Sequence, residues 1–158
     1  MELTVQDLFG DYRLATAEEI LAAAGKVINH RFRRGMTLSS PAAAHDFFIH
    51  KLALRDQEVF AGMFLDNRNR VIVYEELFFG TIDSATVHPR VVAQHALKYN
   101  AAALIAAHNH PSGSSVPSRA DELITLRLKE ALQLVDVRLL DHLIVGEHCI
   151  SLAERGVL

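Results

Sequence analysis

A chain of 158 residues, 50% hydrophobic and 22% charged, is long enough to bury about two-thirds of its unfolded surface and too apolar for disorder. Its net charge of −3 and pI near 6.3 provide no global attraction to phosphate. The longest apolar run, AAALIAA at 101–107, falls far short of the ~20 residues a membrane helix needs, so no membrane partner is expected.

The opening MELTVQDLFGDYRL carries acids early and lacks a basic-then-apolar pattern, which predicts no secretory leader and a cytoplasmic address. Residues 1–40 read as a short helical appendage. In TAEEILAAAGKVINHRFRRG (16–35), Thr16 and Glu19 have capping-box spacing and Gly35 suits the stop. Arg31, Arg33 and Arg34 cluster at its end, where the helix dipole favours cations. Five basic and five acidic residues lie within 1–40, so the segment is neutral and nucleic-acid contact is the weaker reading of the cluster.

The main domain is expected over 41–158. SSPAAAHDFFIHKLAL predicts a helix opening at Pro41 behind a serine cap. EVFAGMFLD (58–66), the turn DNRNR (66–70) and VIVYEELFFG (71–80) read as a β-hairpin. HPRVVAQHALKYN (88–100) starts a helix at Pro89, with Val92, Ala96 and Tyr99 at helical spacing. AAALIAA follows as a buried strand. Ser118 opens a further helix whose Ile124, Leu128, Ala131, Leu132 and Val135 share one face. Two strands around Gly146-Glu147 complete the chain, with Cys149 a small apolar filler in the last. A lone cysteine excludes an internal disulfide and a cysteine-rich zinc module. The order predicts a layered α/β (α+β) domain, a mixed β-sheet flanked by helices.

Chemistry concentrates in HNHPSGSSVPSRAD (108–121). Side chains alternate along a strand, so His108 and His110 point the same way and can reach one metal ion. Asp121, in the first turn of the next helix, is the candidate third ligand. Three protein ligands leave a fourth tetrahedral position for water, the arrangement of catalytic zinc. The competing reading makes Ser118 and Asp121 a capping box with no metal. It leaves the histidine pair unexplained, and it does not account for a loop stiffened by both Pro111 and Pro117.

His108-Asn-His110, ten residues, then Asp121, with Ser118 three before the aspartate, resembles the RadC (UPF0758) family within the JAB1/MPN/JAMM zinc metalloprotease superfamily. The resemblance runs over roughly 40–158 and includes GTIDSATVHPR (80–90) and LLDHLIVG (139–146). It implies a JAB1/MPN fold of cytidine-deaminase-like layers and Zn2+ held by His108, His110 and Asp121. It also implies Ser118 as hydrogen-bond donor to the oxyanion and Glu58 as the general base that moves a proton from water to the leaving amine. Glu75 and Glu76 are competitors for that role. Asp141-His142 reads equally well as a pair orienting a ligand or as a satisfied polar pair.

The implied activity is zinc-dependent hydrolysis of a peptide or isopeptide bond in an unidentified peptide or protein substrate. The alternative is a DNA repair or recombination accessory protein with a structural or vestigial metal. Relatives commonly carry an N-terminal helix-hairpin-helix segment, which residues 1–40 are too short to form; that departure and the acidic balance count against DNA. A deaminase is excluded because one cysteine cannot supply the Pro-Cys-x-x-Cys half of its site. A dimer through an exposed strand edge is compatible with the pattern.

Overall fold

In a computed structural model, which describes residues 3–6, 11–38, 40–80 and 87–158, the chain divides into two units, Met1–Phe32 and Arg33–Leu158. Residues 81–86, within GTIDSATVHPR, lie outside the described residues.

The first unit pairs β1 (Thr4–Gln6) antiparallel with β2 (Tyr12–Leu14) and continues into α1 (Ala17–Arg31). The reading of residues 1–40 as a short helical appendage does not include this strand pair. Three-residue strands offer too few alternations for a period of two to register, and both are largely exposed. The capping box forms as its spacing predicts: Thr16 Oγ1 accepts from the Glu19 amide at 3.2 Å, and the Glu19 carboxylate accepts from the Thr16 amide at 2.9 Å. Arg13 grips the same carboxylate with two guanidinium donors. The helix ends at Arg31, ahead of Gly35.

The second unit starts earlier than the expected residue 41. The Gly35 amide donates to Val71 O, the Val71 amide to Met36 O and the Leu38 amide to Asn69 O, each within 2.9 Å. These bonds sew residues 35–38 onto the hairpin, a long-range pairing that local periodicity does not report. Then come α2 (Pro41–Leu52), β3 (Val59–Leu65), β4 (Val71–Phe79), α3 (Pro89–Lys98), β5 (Ala103–Asn109), α4 (Arg119–Gln133), β6 (Arg138–Val145) and β7 (Cys149–Ser151). Ser40 caps α2 through the Ala43 amide, with Pro41 in the first turn. Asp66 shapes the β3–β4 turn by accepting from the Arg68 and Arg70 amides.

The sheet order is β4-β3-β5-β6-β7, and β5-β6 is its parallel pair, connected through α4. This is the mixed sheet flanked by helices that the element order predicts. Every residue of β3 and β5 is buried, as their continuous apolar runs require for central strands covered on both faces. Phe60, Phe64, Leu104 and Ala106 pack with Val92 and Ala96 of α3 and Leu128 and Leu132 of α4. Each large side chain fully buried there contributes about 1.5–3 kcal/mol. On the other face, α2 lies against β5 and β6, and Phe47 and Phe48 meet Tyr74 edge-on.

The ladder between β5 and β6 is irregular at one point. Leu104 pairs with Leu139, but Ile105 pairs with Asp141, leaving Leu140 as an extra residue in β6. This bulge turns both Leu139 and His142 toward the α3–α4 face, although they are three residues apart.

Candidate metal centre

The C-terminal end of β5, the start of β3 and the first turn of α4 meet at one edge of the sheet. Phe60 of β3 is the register partner of His108, so Glu58, two residues earlier, falls on the extension of the ladder opposite His110. His108 is 2% exposed, and the equally buried Asn109 ends the strand. His110 continues the parallel pairing, its amide donating to Val145 O at 2.9 Å.

The structure brings His108, His110 and Asp121 together, with one ligand-capable atom from each lying within 4.8 Å of the others. The two Nε2 atoms are 3.0 Å apart. Asp121 Oδ1 lies 3.2 Å from His108 Nε2, and Oδ2 lies 3.6 Å from His110 Nε2. The donor set fits a cation. His110 Nδ1 sits 2.8 Å from the Ser114 carbonyl, which only accepts, so in the neutral ring Nδ1 carries the hydrogen and Nε2 a lone pair. That lone pair and a carboxylate crowd the same point and repel unless positive charge sits between them.

The electrostatics show the same tension. The hydrogen bond with Asp121 raises the His110 pKa above its ordinary value despite partial burial, and the Ser114 carbonyl and Glu58 add to it. Burial pushes the Asp121 carboxyl up, but its contacts with the His108 and His110 rings and with Ser118 outweigh it and hold the group well below the carboxylate range.

The capping box forms, and it leaves one Asp121 carboxylate oxygen available for the candidate ligand role. Oδ2 accepts from the Ser118 amide at 2.7 Å while Ser118 Oγ accepts from the Asp121 amide at 3.1 Å. That leaves Oδ1 facing His108. Ser118 is exposed, and the cap uses its oxygen as an acceptor. Glu58 is half-buried just before β3, its carbonyl accepting from the Gly80 amide at 2.8 Å. It stands close enough for its charge to act on His110.

Glu75 and Glu76 are committed elsewhere. Glu75 binds His95 Nδ1 at 2.5 Å and the Tyr99 hydroxyl, joining β4 to α3. Glu76 pairs with Arg55 and accepts from Tyr74. His95 is thus a partner of Glu75.

The loop carrying Ser114 is locked to the β6–β7 turn. The Glu147 amide donates to Gly113 O at 2.8 Å, and Ser115 Oγ bonds both the amide and the carbonyl of His148. A Cβ at Gly146 would meet Gly113 O at 2.5 Å, so only glycine allows the two backbones this close.

Two contributors, Asn109 and Thr125, were not legible in the sequence as site residues, and His142 was one of two equal readings. Asn109, between the ligands and pointing to the opposite face, accepts from the Val59 amide at 2.8 Å and donates to the carbonyls of Arg55 and Gln57. His142 meets His108 Nδ1 through its Nε2 at 2.9 Å, and Thr125 meets His142 Nδ1 at 2.5 Å. The Asp141-His142 pair therefore splits: Asp141 accepts from Ser151 Oγ and the His142 and Ala153 amides, and only His142 reaches a ligand. The usable signal for Thr125 was a polar residue inside the apolar stripe of α4, one turn after Asp121. Cys149 is half-buried, and burial, with Asp141 among the acids nearby, pushes its thiol up to about 12, so it is not a reactive thiolate.

No helix among the described residues is long and apolar enough to cross a membrane. A family model described as a RadC-like JAB domain matches residues 38–157. The chain is 54% identical over 150 residues to a UPF0758 protein of Halorhodospira halophila, covering 94% of this chain and 67% of that relative. It is 52% identical over 140 residues to a UPF0758 protein of Vibrio cholerae, covering 89% of each. With a domain match across most of its length and relatives at about half identity, the chain belongs to the RadC-like JAB domain family.

Proposed function

We propose that the protein is a zinc-dependent hydrolase cleaving an amide bond in a peptide or protein. The observation that carries this reading is the convergence of His108, His110 and Asp121 at the mouth of β5, with a carboxylate, Glu58, across the ladder. His108, His110 and Asp121 would hold the ion. When bound, zinc supplies Lewis acidity that polarises a carbonyl and acidifies water. Glu58, at the fixed start of β3, takes a proton from the attacking water and delivers it to the leaving amine. Ser118 turns its hydroxyl hydrogen to the carbonyl oxygen as negative charge develops there. The histidines are oriented by the Ser114 carbonyl and by His142, so the ligands are preorganised.

The test is metal content by mass spectrometry on purified protein, beside His110→Ala and Asp121→Asn. About one zinc per chain, lost in both variants, is the expected result. Glu58→Gln should then retain the metal while hydrolysis of a peptide and isopeptide panel falls by about 10²–10⁴-fold. Salt-dependent DNA binding with no hydrolysis would favour the repair-accessory reading instead.

A further inference from the structure

We propose that His142 and Thr125 are positioning residues that lock His108 into the one tautomer able to bind a cation. The proposal deepens the metal-site reading and rests on it.

The hydrogen inventory sets the direction of the chain. Thr125 Oγ1, buried on α4, lies 2.6 Å from the backbone carbonyl of Asp121 and 2.5 Å from His142 Nδ1. The hydroxyl has one hydrogen, and a carbonyl can only accept, so the hydrogen lies on the contact with Asp121 O. Thr125 then offers a lone pair to His142, which must carry its hydrogen on Nδ1. His142 is 0% exposed, and its two ring nitrogens meet only the Thr125 hydroxyl and the His108 ring, with no carboxylate to offset a buried charge, so the ring holds one hydrogen. Its Nε2 is therefore an acceptor, 2.9 Å from His108 Nδ1. His108 donates from Nδ1, and its Nε2 lone pair faces His110 and Asp121.

The reverse order fails on two counts. It leaves two oxygens 2.6 Å apart with no hydrogen between them, and it puts a hydrogen on His108 Nε2, where a cation would bind. Phe60 removes competing partners, stacking on His108 at 6.4 Å and meeting His142 edge-on at 5.4 Å. The chain starts at one ligand, His108, and ends on the backbone of another, Asp121. It thereby fastens the first turn of α4 to the end of β5 in the geometry both ligands need.

Two measurements test this. Long-range proton–nitrogen NMR on histidine-labelled wild type, metal-free and with zinc, should find hydrogen on Nδ1 of both His142 and His108. Zinc affinity by chelator competition should fall by about 10-fold or more in Thr125→Val and stay within about threefold of wild type in Thr125→Ser, which restores the hydroxyl. Hydrogen on His142 Nε2, or zinc bound as tightly by Thr125→Val as by wild type, overturns the proposal. If Thr125→Val fails to fold by circular dichroism, the wild-type tautomer decides alone. Wild type that binds no zinc refutes the metal-site reading itself, whereas wild type that binds zinc with the opposite tautomer refutes only this proposal.

Discussion

The side-chain oxygen of Asn109 accepts the amide hydrogen of Val59 at 2.8 Å, while its nitrogen donates to the carbonyls of Arg55 and Gln57. The residue between two candidate ligands thus organises the backbone on both sides of Glu58. It does so from the face of β5 opposite the histidines, where no ligand atom is disturbed.

Asn109→Ala should cost about 2–3 kcal/mol, because three backbone groups around Glu58 lose their partner, one of them the buried Val59 amide. Zinc stoichiometry should be unchanged. Urea unfolding with hydrogen exchange across residues 55–60 reads both effects, and stability within 0.5 kcal/mol of wild type, on the order of measurement error, would falsify the tether.

The two roles of Asp121 separate by mutation. Ser118→Ala removes a cap and should cost about 1 kcal/mol with zinc retained. Asp121→Asn keeps an oxygen that can accept from the Ser118 amide but loses the charge, so zinc should be lost while the cap survives. Thermal unfolding of metal-free protein and metal analysis of loaded protein check the pair. Zinc loss in Ser118→Ala with the fold intact would contradict the assignment.

Gly146→Ala should act at a distance. Its Cβ would strike Gly113 O at 2.5 Å, which no side-chain rotation relieves, so the loop must move off the β6–β7 turn at a cost of about 1–3 kcal/mol. Because Ser114 lies in that loop and fixes His110, zinc affinity should weaken as well. Unaltered affinity alongside lowered stability would show that the loop does not orient His110.

The β4–α3 clamp gives a pH signature independent of the metal. Burial raises the Glu75 pKa, but hydrogen bonds from Tyr99 and His95 outweigh it, and the net shift is downward. A carboxyl depressed in the folded state stabilises above its unfolded pKa of about 4.3 and loses that contribution as pH falls through the folded value. Glu75→Gln should therefore be less stable than wild type by about 1 kcal/mol at pH 7, the group being partly solvated, with the gap closing below about pH 4. Denaturation at the two pH values decides it; a gap that widens in acid has the wrong sign.

The sequence by itself determined the element order of the second unit, the two wholly buried strands and the grouping of His108, His110 and Asp121. Each rests on a short-range regularity: apolar runs bounded by Asp66-to-Arg70 and Pro111, proline at helix starts, and alternation that sends His108 and His110 the same way. The pairing of β1 with β2 stayed hidden because both strands are too short and exposed to show a period.

The surroundings of the ligands were decided by tertiary structure. Period-two reading from Leu139, which faces the core, sends Asp141 to the same side and His142 away. The bulge at Leu140 reverses that parity and delivers His142 to His108. A bulge is set by how a strand registers against its neighbour, here β6 against β5, and a single strand's own sequence does not contain that choice. The same holds for Asn109 and Glu58, which meet only because β3 and β5 pair at Phe60 and His108.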